Sequence, residues 1–271
     1  MNVGRLLLVG CGKMGGAMLQ GWLARGVAPG DVVVVEPGRE QAEALGASGV
    51  TVVPDADAVP SGFAPSVVIL AVKPQTMDDA APHYAALAGP DTAFLSIAAG
   101  KTIADFERYF GSGAAIVRSM PNTPAAVGRG MLVACPNANV SQAMRENCDA
   151  LLSAVGKVAW IEDEALMDAV TGVSGSGPAY VFLMIECMSR AGVEAGLPDE
   201  LARTLALTTV AGAGELAMQA EEDPATLRKN VTSPGGTTQA ALEVLMAEPG
   251  LQALMTEAVA AATRRSRELA G

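Results

Sequence analysis

The chain has 271 residues, 50% of them hydrophobic and 17% charged, with a formal net charge of −11 at pH 7. This length supports a sizeable core and two domains, and the composition excludes a disordered chain. The acidity and the lack of a basic stripe exclude non-specific nucleic-acid binding, so an anionic ligand needs a locally positive site of backbone N–H groups and a few cations.

The first element is a buried strand over 6–9, from the run Arg5-Leu6-Leu7-Leu8-Val9-Gly10. That run is too short for a signal-peptide core or a membrane span, and it stops at glycine. No apolar stretch of about 18 residues follows. A cytoplasmic protein with no membrane partner is expected. A helix over 14–25 comes next, then a β-branched strand over 32–36, a helix over 39–47 and a short strand over 50–53. Further strands are read at 66–72, 93–97, 115–118 and 130–134. Strands separated by helical patterns predict a parallel sheet with helices on both faces.

Beyond Trp160 the pattern is helical: from Glu164, then 178–192 behind Gly177, 197–220, 224–229, 238–247 and 251–269. The predicted fold is therefore α/β, with a Rossmann-type doubly wound sheet in residues 1–160 and an all-helical domain in 161–271. The helices are rich in small residues, as in Thr208-Thr209-Val210-Ala211-Gly212-Ala213-Gly214. Apolarity nearly all round favours a helix-exchanging homodimer over a self-contained bundle.

Cys11, Cys135, Cys148 and Cys187 show no metal spacing and read as reduced thiols; no metal is expected. His83, the single histidine, reads as a surface or packing residue.

Gly10-Cys11-Gly12-Lys13-Met14-Gly15 matches G-x-G-x-x-G between a predicted strand and a predicted helix, the context of a dinucleotide site. The glycines give a tight turn, close approach of the pyrophosphate and helix–strand packing, with the pyrophosphate on the helix N-terminus. Glu36, ending the second strand, suits a ribose 2′-OH and NADH; Arg39 suits a 2′-phosphate and NADPH. The two signals conflict. Ala71-Val72-Lys73-Pro74 and Ala98-Ala99-Gly100 end two further strands, where ligands lie in open α/β sheets. Lys73 reads as a cofactor neighbour or as a structural lysine, and the small residues 98–100 leave room for the nicotinamide.

Three stretches remain. They are Arg118-Ser119-Met120-Pro121-Asn122-Thr123-Pro124, Val170-Thr171-Gly172-Val173-Ser174-Gly175-Ser176-Gly177-Pro178-Ala179-Tyr180, and Asn230-Val231-Thr232-Ser233-Pro234-Gly235-Gly236-Thr237-Thr238. The last has no acid or base inside its glycine turn. It offers backbone N–H groups and hydroxyls at a helix start, enough to hold a small carboxylate.

With the N-terminal fingerprint, these stretches resemble Δ1-pyrroline-5-carboxylate reductase over essentially the whole chain. The resemblance implies reduction of (S)-1-pyrroline-5-carboxylate to L-proline by NADPH or NADH, the last step of proline biosynthesis. It further implies that Ser233, Gly235, Gly236 and Thr237 hold the substrate carboxylate and that Thr238 hydrogen-bonds the ring nitrogen, as the catalytic residue. Glu164 is implied at the substrate site and Asn230 at the cofactor. The implied assembly is an intertwined homodimer, in that family often five dimers in a ring.

The chain departs from some relatives at Glu36, where they carry a small polar residue, and at Asp55-Ala56-Asp57, where they carry an asparagine. Both departures weigh against NADP. Rival readings are a related imine or β-hydroxy acid reductase and a non-catalytic NAD(P)-sensing protein. A β-hydroxy acid enzyme is expected to place a lysine near its substrate. Lys229 is the only lysine after residue 157, and it lies outside the glycine turn.

Overall fold

The computed structural model describes residues 1 and 3–270. The chain divides into two compact units, one of Met1–Gly175 with the C-terminal segment from Ala262, the other of Ser176–Ala261. Among the described residues no strand follows Trp160, and the break in packing comes some residues later.

The first unit is built on eight strands: β1 (Leu6–Val9), β2 (Val32–Val35), β3 (Thr51–Val53), β4 (Val67–Leu70), β5 (Ala93–Ser96), β6 (Ala115–Met120), β7 (Gly130–Pro136) and β8 (Gly156–Trp160). Their order is β3-β2-β1-β4-β5-β6-β7-β8. All pairs are parallel except β6–β7. Helices α1 (Lys13–Ala24), α2 (Arg39–Gly46), α3 (Met77–Ala80), α4 (Ile103–Phe110), α5 (Gln142–Ser153) and α6 (Met167–Val170) lie between and after the strands.

Successive strand residues point to opposite faces, and both faces are buried. Leu6 and Leu8 join Val32, Val34 and Ile69 under Met18, Leu19 and Trp22 of α1. Leu7 and Val9 join Val33, Val35, Val68 and Phe94 under Tyr84, Phe106 and Phe110. This two-sided burial is why the strands read as continuous apolar runs. The Trp22 indole, fully buried, donates to the Leu151 carbonyl at 2.9 Å and so ties α1 to α5.

Strand β8 and helices α4 and α5 lie outside the sequence reading. Helix α4 starts with a capping box, Thr102 and Asp105 bonding each other's backbone N–H groups. Helix α5 starts at Ser141, whose hydroxyl accepts from the Met144 N–H.

The second unit contains α7 (Gly177–Glu194), α8 (Asp199–Gln219), α9 (Pro224–Asn230), α10 (Thr237–Leu245) and the first part of α11 (Leu251–Ala270). Helices α7 and α8 approach closely at Gly192, where a Cβ would stand 3.1 Å from the Ala202 Cβ. Among the described residues α7 buries none and α8 only Ala202 and Ala206. No helix is long and apolar enough to cross a membrane, and no group of metal-ligating side chains occurs, among the described residues.

Candidate functional site

The strand order reverses direction between β1 and β4, so a crevice opens at their C-terminal ends. The glycine turn lies there. Gly10 has φ +83°, and a Cβ would stand 3.1 Å from the Ala71 backbone. A Cβ on Gly15 would stand 2.7 Å from the Gly10 carbonyl oxygen and 3.3 Å from the Ala71 Cβ. Around Gly12 there is open space. The first glycine thus makes the turn, the third seats α1 on the sheet, and the second faces the side from which a ligand approaches. Among the described residues no side chain caps α1, and its first turn, with Lys13 and Met14, carries no acid. Its N–H groups are left for a pyrophosphate. The turn fits a dinucleotide.

Glu36 is joined to this turn. Its carboxylate accepts from the Cys11 N–H at 3.1 Å and from the Gly38 N–H at 3.0 Å. The Gln41 amide donates to the Cys11 carbonyl on the same turn. Arg39 is otherwise placed: its side chain is 92% exposed and pairs with Glu43 at 3.1 Å. Burial, reinforced by the Glu36 charge, pushes the Cys11 thiol up to about 11, so it packs as a neutral group. A cleft of about 440 Å³ opens beside Gly10, lined also by Val72, Asp55, Asp57, Asp79 and Tyr84. His83 lines it too. Lys73 is exposed just past β4, with Pro74 starting the next turn. Past β5, Ala98 is buried, Ala99 exposed, and Gly100 has φ +73°.

Two of the motif stretches meet in this unit. The Asn122 amide donates to the Ser174 carbonyl at 3.2 Å and to its hydroxyl at 3.3 Å, while Asn122 Oδ1 accepts from the Met131 N–H at 2.9 Å. Ser174 lies in a single π-helical turn, Thr171–Gly175, a wide turn common at functional sites. Arg118 on β6 reaches Glu164 at 2.7 Å, and the same Glu164 oxygen accepts from the Ile103 N–H at 2.9 Å at the start of α4. The Arg118 side chain is only 7% exposed. The sequence reading names both residues but not the pair. They are 46 positions apart, and no local signal joins them.

The glycine loop of the helical unit runs between Asn230, the last residue of α9, and Thr237, the first of α10. Gly235 has φ +69°, a left-handed conformation that favours glycine. A Cβ on Gly236 would stand 3.0 Å from the Ser233 carbonyl oxygen. Two loop donors are already engaged: the Gly235 N–H donates to the Gln239 side chain at 2.7 Å, and the Gly236 N–H to the Ser233 carbonyl at 3.0 Å. Helix α10 has no acid in its first turn and, among the described residues, no side-chain cap. Ser233 and Thr237 are exposed and Thr238 half-buried. Gln239, as the partner of Gly235, is missing from the sequence reading; its place four residues on is the only local clue.

Residues 164–269 match the family model described as pyrroline-5-carboxylate reductase dimerisation, and residues 5–100 match one described as NADP oxidoreductase, coenzyme F420-dependent. The chain is 43% identical to the pyrroline-5-carboxylate reductase of Pseudomonas aeruginosa, covering 100% of this chain and 98% of that protein. It is 44% identical to that of Synechocystis, covering 98% of each. A solved pyrroline-5-carboxylate reductase from Coxiella burnetii superposes with a TM-score of 0.93 at 32% identity, covering 100% of both chains. One from Plasmodium falciparum with NADP bound gives 0.84 at 28% identity, also over 100% of both. Likeness of this extent, running end to end through both units, makes the chain an NAD(P)-dependent oxidoreductase and a member of the pyrroline-5-carboxylate reductase family.

Proposed function

We propose that the chain reduces (S)-1-pyrroline-5-carboxylate to L-proline with NADH or NADPH, in the cytoplasm, as the last step of proline biosynthesis. The observation that carries this reading, beyond family membership, is the start of α10. It is an uncapped helix N-terminus behind a Gly-Gly turn, with hydroxyls and no acid. Such a site suits a small carboxylate.

A protonated cyclic imine is already strongly electrophilic. The protein's task is alignment rather than strong acid–base chemistry. Bound NAD(P)H supplies the hydride that the imine carbon accepts. The N–H groups of Thr237 and Thr238, left without helical partners by their position in the first turn, hold the carboxylate, with Ser233 beside them. Gly236 lets the carboxylate come close, and Gly235 adds its N–H once Gln239 turns aside. The Thr238 hydroxyl orients the ring nitrogen and relays its proton. Family resemblance supports a place for Glu164 at the substrate and for Asn230 at the cofactor. The buried Arg118 fixes where the Glu164 carboxylate stands.

The cofactor belongs to residues 1–160, and substrate and subunit contacts to 161–271. The exposed apolar residues of α7 and α8 support a homodimer, which we expect to assemble further as five dimers. The free cysteines agree with a reducing compartment. The test is NAD(P)H oxidation on addition of pyrroline-5-carboxylate, with proline as product. Well-folded protein that binds cofactor without turnover would remove this reading.

A further inference from the structure

We propose that this chain selects NADH over NADPH, and that Glu36, held on the glycine turn, is the residue that decides. The inference rests on the dinucleotide site and deepens the proposed function, which leaves the cofactor open.

A ribose 2′-OH needs an acceptor, whereas a 2′-phosphate needs donors and positive charge. Glu36 directly follows β2, and its two oxygens accept from the Cys11 and Gly38 N–H groups at 3.1 and 3.0 Å. These bonds fix the carboxylate beside the turn that takes the pyrophosphate. They also use up the Gly38 N–H, the N-cap donor of α2. That helix start is where a 2′-phosphate would otherwise find backbone donors. Its first turn carries a second acid, Glu40. A carboxylate cannot donate to a phosphate, and two anions in contact repel strongly where water is excluded.

The adjoining cleft points the same way independently. Asp55, Asp57 and Asp79 line it, and no lysine or arginine is among its described lining residues. The Asp55 carboxylate is anchored by the Ala58 N–H at 3.0 Å. Among the described lining residues His83 carries the only imidazole. Arg39, the cation that favours a 2′-phosphate in the sequence, is turned to solvent and paired with Glu43. Recruiting it would break that pair and still leave Glu36 facing the phosphate.

The test is direct binding without substrate, following quenching of protein fluorescence or calorimetry during titration with NADH and with NADPH. The unmodified chain should bind NADH at least about tenfold more tightly. Glu36→Gln, which keeps the shape and removes the charge, should cut that ratio by about fivefold or more, chiefly through tighter NADPH binding. Arg39→Ala should leave the ratio within about twofold. Equal or tighter NADPH binding by the unmodified chain overturns the proposal, and so does a Glu36→Gln ratio that stays put. If Glu36→Gln fails to fold, the ratio for the unmodified chain and the Arg39→Ala result still decide. Because no substrate is present, the outcome is separable from the proposed reaction: clear NADH selection without turnover would sink the reaction and leave the selectivity standing.

Discussion

The two units meet opposite fates when considered as single-chain structures. In the sheet unit β1, β2, β4 and β5 are buried at every position, and Trp22, Phe94 and Phe106 are sealed from solvent. In the helical unit the large apolar side chains lie open: Phe182 is 57% exposed and Met218 67%. The sheet covers itself with its own helices. The helical unit carries an apolar surface that calls for a second copy. One sequence therefore holds two solutions to the same hydrophobic problem, and only the second depends on concentration.

The sharpest way to break this contrast is in the sheet core. Trp22→Ala removes a buried ring and the bond to Leu151; it should cost about 3–5 kcal/mol, read from a denaturant midpoint at constant m-value. Phe182→Asp should do the reverse, leaving NADH binding by the sheet unit intact while weakening self-association by about a hundredfold, or roughly 2.7 kcal/mol. Sedimentation at several concentrations would show it, and an unchanged oligomer would mean that this face is not the contact. Thr238→Ala should lower kcat/KM by about ten- to a hundredfold with fold and cofactor affinity kept; unchanged kcat/KM removes Thr238 from the mechanism. Thr102→Ala loses one half of the capping box on α4 and should cost about 1 kcal/mol.

Alkaline pH offers a gentler probe. Burial pushes the thiols of Cys11 and Cys135 up to about 11 and that of Cys148 to about 12, from an ordinary 9.0. An unfolded thiol then ionises before the folded one. The stabilisation is complete below pH 9 and is lost as pH rises through the folded values. All three thiols lie in the sheet unit, so its denaturation midpoint should fall from about pH 9 upward. Cys148→Ala should flatten that fall.

The strands of the sheet were legible because two-sided burial writes itself as runs such as Leu6-Leu7-Leu8-Val9 and Val32-Val33-Val34-Val35. Strand β8 is not legible in the sequence, for the converse reason. It is an edge strand with Lys157 exposed and its other residues only half-buried, so it has no such run. Helix α4 is a different case, since its cap, Thr102 with Asp105, stands in the sequence itself. The glycine turn was legible because its three glycines have separate steric duties. The Arg118–Glu164 pair and the Asn122–Ser174 link were not, because they arise from folding distant segments together. The face that the long helices offer a partner was also hidden: with apolar residues on nearly every side, periodicity selects no stripe.

The indole bond from Trp22 to Leu151 has a practical consequence. Of the chain's two tryptophans, Trp22 lies sealed between α1 and α5 and Trp160 ends β8 beneath the guanidinium of Arg145. Both belong to the sheet unit. Tryptophan emission is therefore a private reporter of that unit, while far-ultraviolet circular dichroism reads the helices of both. Recorded together on one melting sample, the two signals become a built-in test of whether the halves of this enzyme come apart as one body or in succession.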